Sequence, residues 1–537
     1  MGNAQQAVKK TVNYTRVATI VLWCVLALLG VVTLLVVTRW GIGVTPDSVA
    51  YVAATRNILD SRGISVPDYD RAVIAPMTHW PPLFPILLSG ICLLGTEVLE
   101  AGRWLNAFVF AGNVLLAGAV LHRCTGRSWL ALVGAFVVLN SAQLIDVHLM
   151  LWTEPVFMFL GLLGLAMLGS HLENPKLPLL IGAGVAVALA FLSRYLGIVL
   201  VGAAVVGILL LSQRTWKRRM VDCGLFALVS CLPMAFWVIR NRLVAHSMTN
   251  REVMFHPVEG EKIRLAALTV SRWFLPESLP EIVKMVFVPA LLLGLAVLTA
   301  LPFTRGARAA QGPPAESRGR KIPLLLMIFL ISYAVFLLVS ISFFDANTPL
   351  DNRILSPLNL TALILLFCCA DKLLHHARAL GVVRIALIVV VGVFALLKAR
   401  QNVEMNFLGR SDGEGFSSRR WRESNILDSR PIQELPAGAV LYSNVPEAIY
   451  LHAYLHHSPR GEAYSVPSRF NPLTRAERAD YPAEMKAMEH KLRQNGGFVV
   501  YLTDGGRAYL PSREQLTSHL SVTAVLERDD GTIYVLQ

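Results

Sequence analysis

A handful of charged positions at the ends of apolar runs are where this sequence could do chemistry. Asp47 follows the first apolar run in TPDSVAY, and Glu154 opens a later one in LMLWTEPVF. Asp351 and Arg353 open another in TPLDNRILSP, Arg194 sits in the short SRY connection, and Arg240 closes a run in FWVIRN. His79 and Trp80 stand just ahead of a proline-rich apolar stretch. A carboxylate can act as a base, and arginine forks bind anions. Ionisable groups beside a bilayer are costly, which makes each a functional candidate. Each also has a structural explanation. Asp47 could charge the first turn of a surface helix, and Glu154 before Pro155 could be a helix-start acid. The arginines could snorkel to headgroups, and His79 with Trp80 could anchor the interface. The order of these residues along the chain carries more weight than any one of them.

The elements that must position them are apolar. Of 537 residues, 54% are hydrophobic and 16% charged. Soluble domains usually hold about 25% charged residues, so a bilayer is the natural solvent for this surface. Runs long enough to span, or nearly so, lie near 17–38, 103–121, 129–145, 155–170, 177–192, 195–211, 220–238, 284–303, 322–342, 354–370 and 383–398. The fold expected is an α-helical polytopic membrane protein of about eleven transmembrane helices.

Charge sorts the connections. Arg123, Arg127, Arg214, Lys217, Arg218, Arg219, Arg305, Arg308, Arg318, Arg320, Lys321, Lys372, Arg378 and Arg384 fall in loops of one parity. Most acids, including Asp47, Asp60, Asp68, Asp70, Asp146, Glu154, Asp345 and Asp351, fall in loops of the other. The positive-inside rule then puts Lys9, Lys10 and Arg16 in the cytoplasm, in an uncleaved N-terminus of residues 1–16. It puts everything after about residue 400 outside. The stretch WPPLFPILLSGICLLG at 80–95 is too short to keep that parity if it crosses, so it reads as a re-entrant or interfacial helix. Residues 45–63 read as a helix along the membrane surface, capped by Thr45, with Pro46 in its first turn and Gly63 at its end. In the outer loop 240–283, GEKIRLAALTVSRWFLP reads as an amphipathic helix.

Residues 17–400 thus form the membrane part, 401–430 a polar linker, and 431–537 a small extracytoplasmic α/β domain. In that domain AVLYSN reads as a strand, PEAIYLHAYLH and KAMEHKLRQN as helices, GFVVYLT as a buried strand, and SVTAVLERDDGTIYVL as a hairpin turning at Asp530-Gly531. The seven cysteines lie in or beside apolar runs, with neither metal-ligand spacing nor a disulfide pattern. The net charge of +13 comes from short clusters between apolar runs. No aromatic-interleaved basic face appears, which excludes nucleic acid.

TPDSVAY, HWPPLFPILL, TEPVFMFL, SRYLGIVLV, FWVIRN and NRILSPLNL occur in an order that resembles the C-type fold of membrane glycosyltransferases. The resemblance runs over residues 15–400. It is to bacterial relatives of the dolichyl-phosphate-mannose protein mannosyltransferases and to the lipid A aminoarabinose transferase. It implies transfer of a sugar from a polyprenyl-phosphate donor to a lipid, glycan or protein acceptor on the outer face of a bacterial inner membrane. Asp47 matches the acid of the first outer loop, Tyr51 an aromatic of the same motif, and Glu154 the acid of the second loop. His79 stands where some relatives keep a lysine, and Arg353 matches an arginine before a late span. Many relatives carry Asp-Glu where this chain has Asp47-Ser48.

On this reading Asp47 is the base, with Glu154 as a second catalytic acid residue whose role stays open. Arg353, Arg240 and His79 hold the donor phosphate, while Tyr51, Arg194 and Asp351 line the pocket. An oxocarbenium-like transition state would be stabilised by the second carboxylate. A divalent cation is compatible with the family, but no residues are assigned to a metal. The competing readings are a multispan transporter or lipid flippase, a ligase or polymerase of lipid-linked glycans, and a non-catalytic scaffold for envelope assembly. A transporter would place its polar site at the midplane.

Overall fold

The computed structural model describes the chain except residues 1, 71–72, 252, 307–318, 346–347, 377–380, 409, 411, 437, 457–462 and 472–475. Side chains of 2–16, 302–306 and 408 are likewise outside the description. Among the basic loop residues, Arg308, Arg318 and Arg378 therefore lie outside the described residues, as do the side chains of Lys9, Lys10, Arg16 and Arg305.

In chain order come α1 (Gly2–Val37), α2 (Pro46–Leu59), a hairpin of β1 (Ser65–Asp68) and β2 (Val73–Pro76), α3 (Leu83–Cys92) and α4 (Val98–Thr125). Next are α5 (Ser128–Leu139), α6 (Ala142–His148), α7 (Glu154–Glu173), α8 (Leu177–Ser193), α9 (Gly197–Leu211) and α10 (Trp216–Ala245). The membrane part ends with α11 (Gly260–Arg272), α12 (Glu281–Gly306), α13 (Lys321–Phe343), α14 (Asn352–His376) and α15 (Gly381–Asn402).

Eight described helices are long and apolar enough to cross a membrane, and nine if the bent pair α5–α6 is one span. Adding the shorter α8 and α9, of 17 and 15 residues, to those nine accounts for all eleven apolar runs of the sequence. The run near 129–145 is not one straight helix. It bends by 56° where Asn140 and Ser141 interrupt it. Asn140 Nδ2 there donates back to the Phe136 carbonyl at 2.9 Å, and Ser141 is extended. α3 has ten residues, about 15 Å of helix, roughly half a hydrocarbon core. It packs on α2, α4 and α8 instead of crossing.

α2 departs from the surface helix expected. Thr45 caps it, with its N–H donating to Ser48 Oγ at 3.0 Å, and Pro46 stands in the first turn. It ends at Leu59, before Gly63. Eight of its fourteen residues are buried, from Ser48 to Asn57, because α3, β1 and α4 pack on it from the membrane part and α18 of the C-terminal part adds a further contact.

The C-terminal part carries two single turns, α16 (Arg419–Arg422) and α17 (Arg430–Gln433). They are followed by β3 (Val440–Ser443), α18 (Pro446–Leu455), β4 (Tyr464–Ser465), α19 (Tyr481–Asn495), β5 (Gly497–Leu502), α20 (Arg513–His519), β6 (Val522–Arg528) and β7 (Gly531–Leu536). Its sheet has the order β4-β3-β5-β7-β6, with β3 parallel to both β4 and β5 and β7 antiparallel to β5 and β6. The final turn sits one residue earlier than expected. Arg528 pairs with Gly531, so Asp529-Asp530 make the turn. Gly531 is already a ladder residue, where a Cβ would stand 2.7 Å from the Tyr501 carbonyl oxygen.

The two parts are tied by backbone. The segment ahead of Asp47 forms a short ribbon: Gly43 bridges Met150 in parallel, and Val44 bridges Gly415 in parallel on the other side. Gly43 N donates to Leu149 O at 2.8 Å, Leu151 N to Gly43 O at 2.8 Å, and Phe416 N to Val44 O at 2.7 Å. Gly415 has φ +57 and its Cα lies against the Val44 carbonyl, a position without room for a side chain.

Candidate active site at one end of the bundle

The Gly43–Met150 bridge explains how two acids 107 positions apart in sequence meet. Asp47 lies four residues beyond Gly43, and Glu154 four beyond Met150, each in the first turn of the next helix. Asn106 holds the second strand by donating from Nδ2 to His148 O at 2.8 Å and Met150 O at 2.7 Å. Trp152 Nε1 donates to Thr45 Oγ1 at 2.9 Å, closing the two helix starts on each other.

Arg353, in the first turn of α14, enters between the acids. Its Nη2 lies 2.7 Å from Asp47 Oδ2 and its Nε 2.6 Å from Glu154 Oε1. The guanidinium lies over the Trp152 ring, 4.5 Å from the centroid. Arg194, where α8 stops and α9 has not begun, pairs with Glu154 and donates to Thr153 Oγ1 at 3.1 Å. Four charges from four distant segments therefore neutralise one another in a chain Asp47–Arg353–Glu154–Arg194.

The chain is graded in exposure. Glu154 is 1% exposed, Arg194 12%, Arg353 20% and Asp47 32%. Glu154 is buried under both arginines and cannot reach a ligand without releasing one. Asp47 faces the open side. Burial alone would raise its carboxyl, but Arg353, His79 and Arg194 together outweigh burial and hold it below the ordinary carboxylate range. Ser48 is the residue next to Asp47. It is buried and bonded to Thr45, so no second carboxylate is presented there.

The remaining predicted residues divide. Tyr51 is buried one turn below Asp47, edge-on to Phe84 at 5.2 Å and Trp80 at 6.0 Å. Burial, with Asp47 adding to it, pushes its hydroxyl up and keeps it neutral. His79 stands edge-on to Trp80 at 4.7 Å. Burial and the charge of Arg251 lower its pKa more than Asp47 and Asp345 raise it, so its imidazole is neutral at pH 7. Asp351 sits at the rim, where its Oδ1 accepts from Ile354 N at 3.1 Å and caps α14. Burial raises its carboxyl pKa despite that cap.

Arg240 does not join the charge chain. Its Nη1 donates to Met77 O at 3.0 Å and its Nη2 to Ile64 O at 3.1 Å, while Trp237 lies 4.8 Å beneath. It ties the β1–β2 hairpin to α10. Arg251 is a basic residue that sequence reasoning missed. It lies 6.0 Å over the Tyr195 ring, within electrostatic reach of Asp47, Asp345 and Arg194. It has no carboxylate at salt-bridge distance among the described residues. Burial lowers its pKa. No motif surrounds it in sequence, so only the fold reveals it.

Above these residues a cleft of about 1100 Å³ separates the two parts of the molecule. Trp80, His79, Tyr69 and Asp68 floor it; Glu447, Arg507 and Tyr509 of the C-terminal domain roof it. Arg507 bonds both Glu447 (2.8 Å) and Tyr509 (3.1 Å), and Ser465 N donates to Tyr69 O at 2.9 Å across one end. The arrangement as a whole offers a partly exposed ionised carboxylate, paired guanidiniums and an aromatic, polar approach through the cleft.

Residues 79–237 match the family described as dolichyl-phosphate-mannose-protein mannosyltransferase. No curated protein sequence matches the chain. Among solved structures, ArnT from Cupriavidus metallidurans bound to undecaprenyl phosphate is similar, with TM-score 0.53 and 15% identity over 96% of this chain and 97% of that one. The archaeal oligosaccharyltransferase AglB from Archaeoglobus fulgidus, in complex with an inhibitory peptide and a dolichol-phosphate, gives TM-score 0.56 and 11% identity, covering 91% of this chain and 70% of that one. The arabinofuranosyltransferase AftD from Mycobacteria gives 0.53 and 14%, covering 96% and 40%. The chain is a multi-pass membrane protein with the fold these proteins share, that of the C-type membrane glycosyltransferases.

Proposed function

We propose that this protein transfers a sugar from a polyprenyl-phosphate donor to an acceptor on the outer face of a bacterial inner membrane. The observation that carries the reading is the chain Asp47–Arg353–Glu154–Arg194, assembled at one end of the bundle beneath a polar cleft. The fold supports it, as does the order of the motifs. The N-terminus would then be cytoplasmic and residues 431–537 would form a domain outside, reached through the linker 401–430.

In this reading the acceptor enters from the cleft and the donor from the lipid side. Asp47, already ionised, accepts the proton of the attacking acceptor group as the new glycosidic bond forms at the anomeric carbon. The bond from that carbon to the phosphate oxygen breaks, and the leaving lipid phosphate keeps the electron pair. Arg353, Arg194 and Arg251 stand near enough to neutralise it, and guanidiniums favour phosphate through paired N–H donors. Glu154 acts by holding Arg353 and Arg194 in place. His79, neutral, can accept or donate one hydrogen bond to the phosphate or to the acceptor. Arg240, spent on backbone carbonyls, shapes the floor and is not assigned to the phosphate.

The test is a purified full-length protein incubated with a panel of polyprenyl-phosphate sugars, beside Asp47→Asn. Wild type should turn over at least one donor, and the variant should lose about 10²–10⁴-fold in kcat at unchanged folding. Equal turnover by both would remove Asp47 from the chemistry. No turnover across the panel would leave the transporter and scaffold readings standing.

A further inference from the structure

Away from the charge chain, α18 and the linker bring three metal-ligating side chains together. His452 and His456 lie one turn apart on α18, where residues four apart share a face. Their rings are 4.3 Å apart between centroids. Asp428 comes from the turn ahead of α17, with Oδ1 3.0 Å from His452 Nε2. One ligand atom from each of the three residues lies within 4.8 Å of the others. We propose that Asp428, His452 and His456 form a binding site for one divalent transition-metal ion of the zinc class.

The geometry suits such an ion with little movement. Bonds of about 2.0–2.2 Å in a tetrahedral site put ligand atoms about 3.3 Å apart. Asp428 and His452 already have that spacing, and His456, exposed at the end of α18, needs only to swing inward. A plain His452–Asp428 hydrogen bond accounts for two of the residues. It leaves unexplained why a second imidazole is stacked against the first. Two nitrogens and one carboxylate select zinc-class ions over magnesium and calcium, which take all-oxygen sets. Three protein ligands leave a fourth position for water.

The placement gives the ion a job. Asp428 belongs to the linker, while the histidines belong to the helix that docks the C-terminal domain on α2. On the same helix Tyr454 donates to Glu97 Oε2 at 2.9 Å, and Arg56 of α2 lies 4.8 Å over the Tyr454 ring. An ion here staples the linker to α18 and fixes the lid over α2, the helix that carries Asp47.

The experiment uses tag-free full-length protein in detergent, stripped with a chelator, dialysed against Zn²⁺, Mg²⁺ or Ca²⁺, and assayed for bound metal and Tm. Wild type should retain one equivalent of zinc with a raised Tm, and neither of the other ions. His456→Ala, at an exposed helix end, should weaken zinc binding by more than about tenfold while the apo protein stays monodisperse with an unchanged Tm. Asp428→Asn should do the same. Zinc retention by the His452→Ala/His456→Ala double variant at the wild-type level would overturn the site, as would no zinc on the wild type or a preference for calcium or magnesium. Sugar transfer need not be measured, so failure here and failure of the proposed function are separable.

Discussion

Two ion-paired clusters stand at opposite ends of the helix bundle, and they are built differently. At one end Arg214, between α9 and α10, holds Asp222 through both carboxylate oxygens at 2.9 and 2.8 Å, with His171 Nε2 3.6 Å away. Its main partners are eight residues apart, and the pair simply closes the start of α10. At the other end the four charges come from positions 47, 154, 194 and 353, and each must be carried there by a different helix end. Burying charges this way brings little net stability compared with apolar packing. A local pair explains itself as a fastener. A long-range, graded one, open at Asp47 and closed at Glu154, asks for a ligand.

The comparison can be broken most sharply at Arg353. Arg353→Gln removes the main counter-charge of Asp47 and one holder of the leaving phosphate, so kcat/KM should fall about 10²–10³-fold. The pH profile should move as well. With Arg353 present the Asp47 carboxyl is held below the ordinary carboxylate range, so the acid limb of kcat/KM lies low. Without it, burial is less opposed and the folded pKa rises. A base is lost when protonated, so the limb must shift to higher pH. An unmoved limb would mean Asp47 is not the base.

A middling effect is expected at the Arg214–Asp222 cluster, and on a different quantity. Asp222→Asn should cost about 1–3 kcal/mol of stability, read as a lower Tm, because Arg214 loses its partner beside a nearly buried site. Turnover per folded molecule should stay at the wild-type value. If turnover fell with it, the two ends would be coupled and the contrast drawn here would fail. The smallest effect is expected at Arg240. Replaced by Gln, it should change kcat less than about tenfold, with a modest rise in KM as the β1–β2 floor loosens. A loss as large as that of Arg353→Gln would return Arg240 to the phosphate.

Much of this was legible from residue order, and the gaps have physical causes. Every apolar run became a helix, since long runs without charge have few other options in lipid. Asp47, Glu154, Arg194 and Arg353 could be singled out because each interrupts hydrophobicity at a helix end. Their contact could not, because it depends on the backbone bridge Gly43–Met150, which has no side-chain signature. Arg240 looked the same in sequence as Arg353, and only its carbonyl partners separate them. Arg251 sits in a loop of unremarkable composition. α2 reads in sequence as a helix along the membrane surface because nothing in its own residues reveals that α3, β1 and α18 pack on it. The bend at Asn140 is likewise set by a side chain returning to its own helix, inside a run that hydropathy alone reads as continuous.

The ribbon beside Asp47 has a consequence for how the molecule comes into being. Its outer strand is supplied by Glu414–Phe416, beyond the last membrane helix, while its middle strand was made nearly four hundred residues earlier. During synthesis the loop bearing Asp47 must wait, unsupported on one side, until about three quarters of the polypeptide has emerged and Glu414–Phe416 have folded back. A truncated chain would insert its helices normally yet leave that loop slack, so a half-made molecule would be a poor consumer of activated sugar lipid. The dependence also sets a rule for protein engineers: a cut at the end of the last membrane helix amputates part of the Asp47 loop's support, and a graft at this boundary must keep residues 412–418 with the helices they serve.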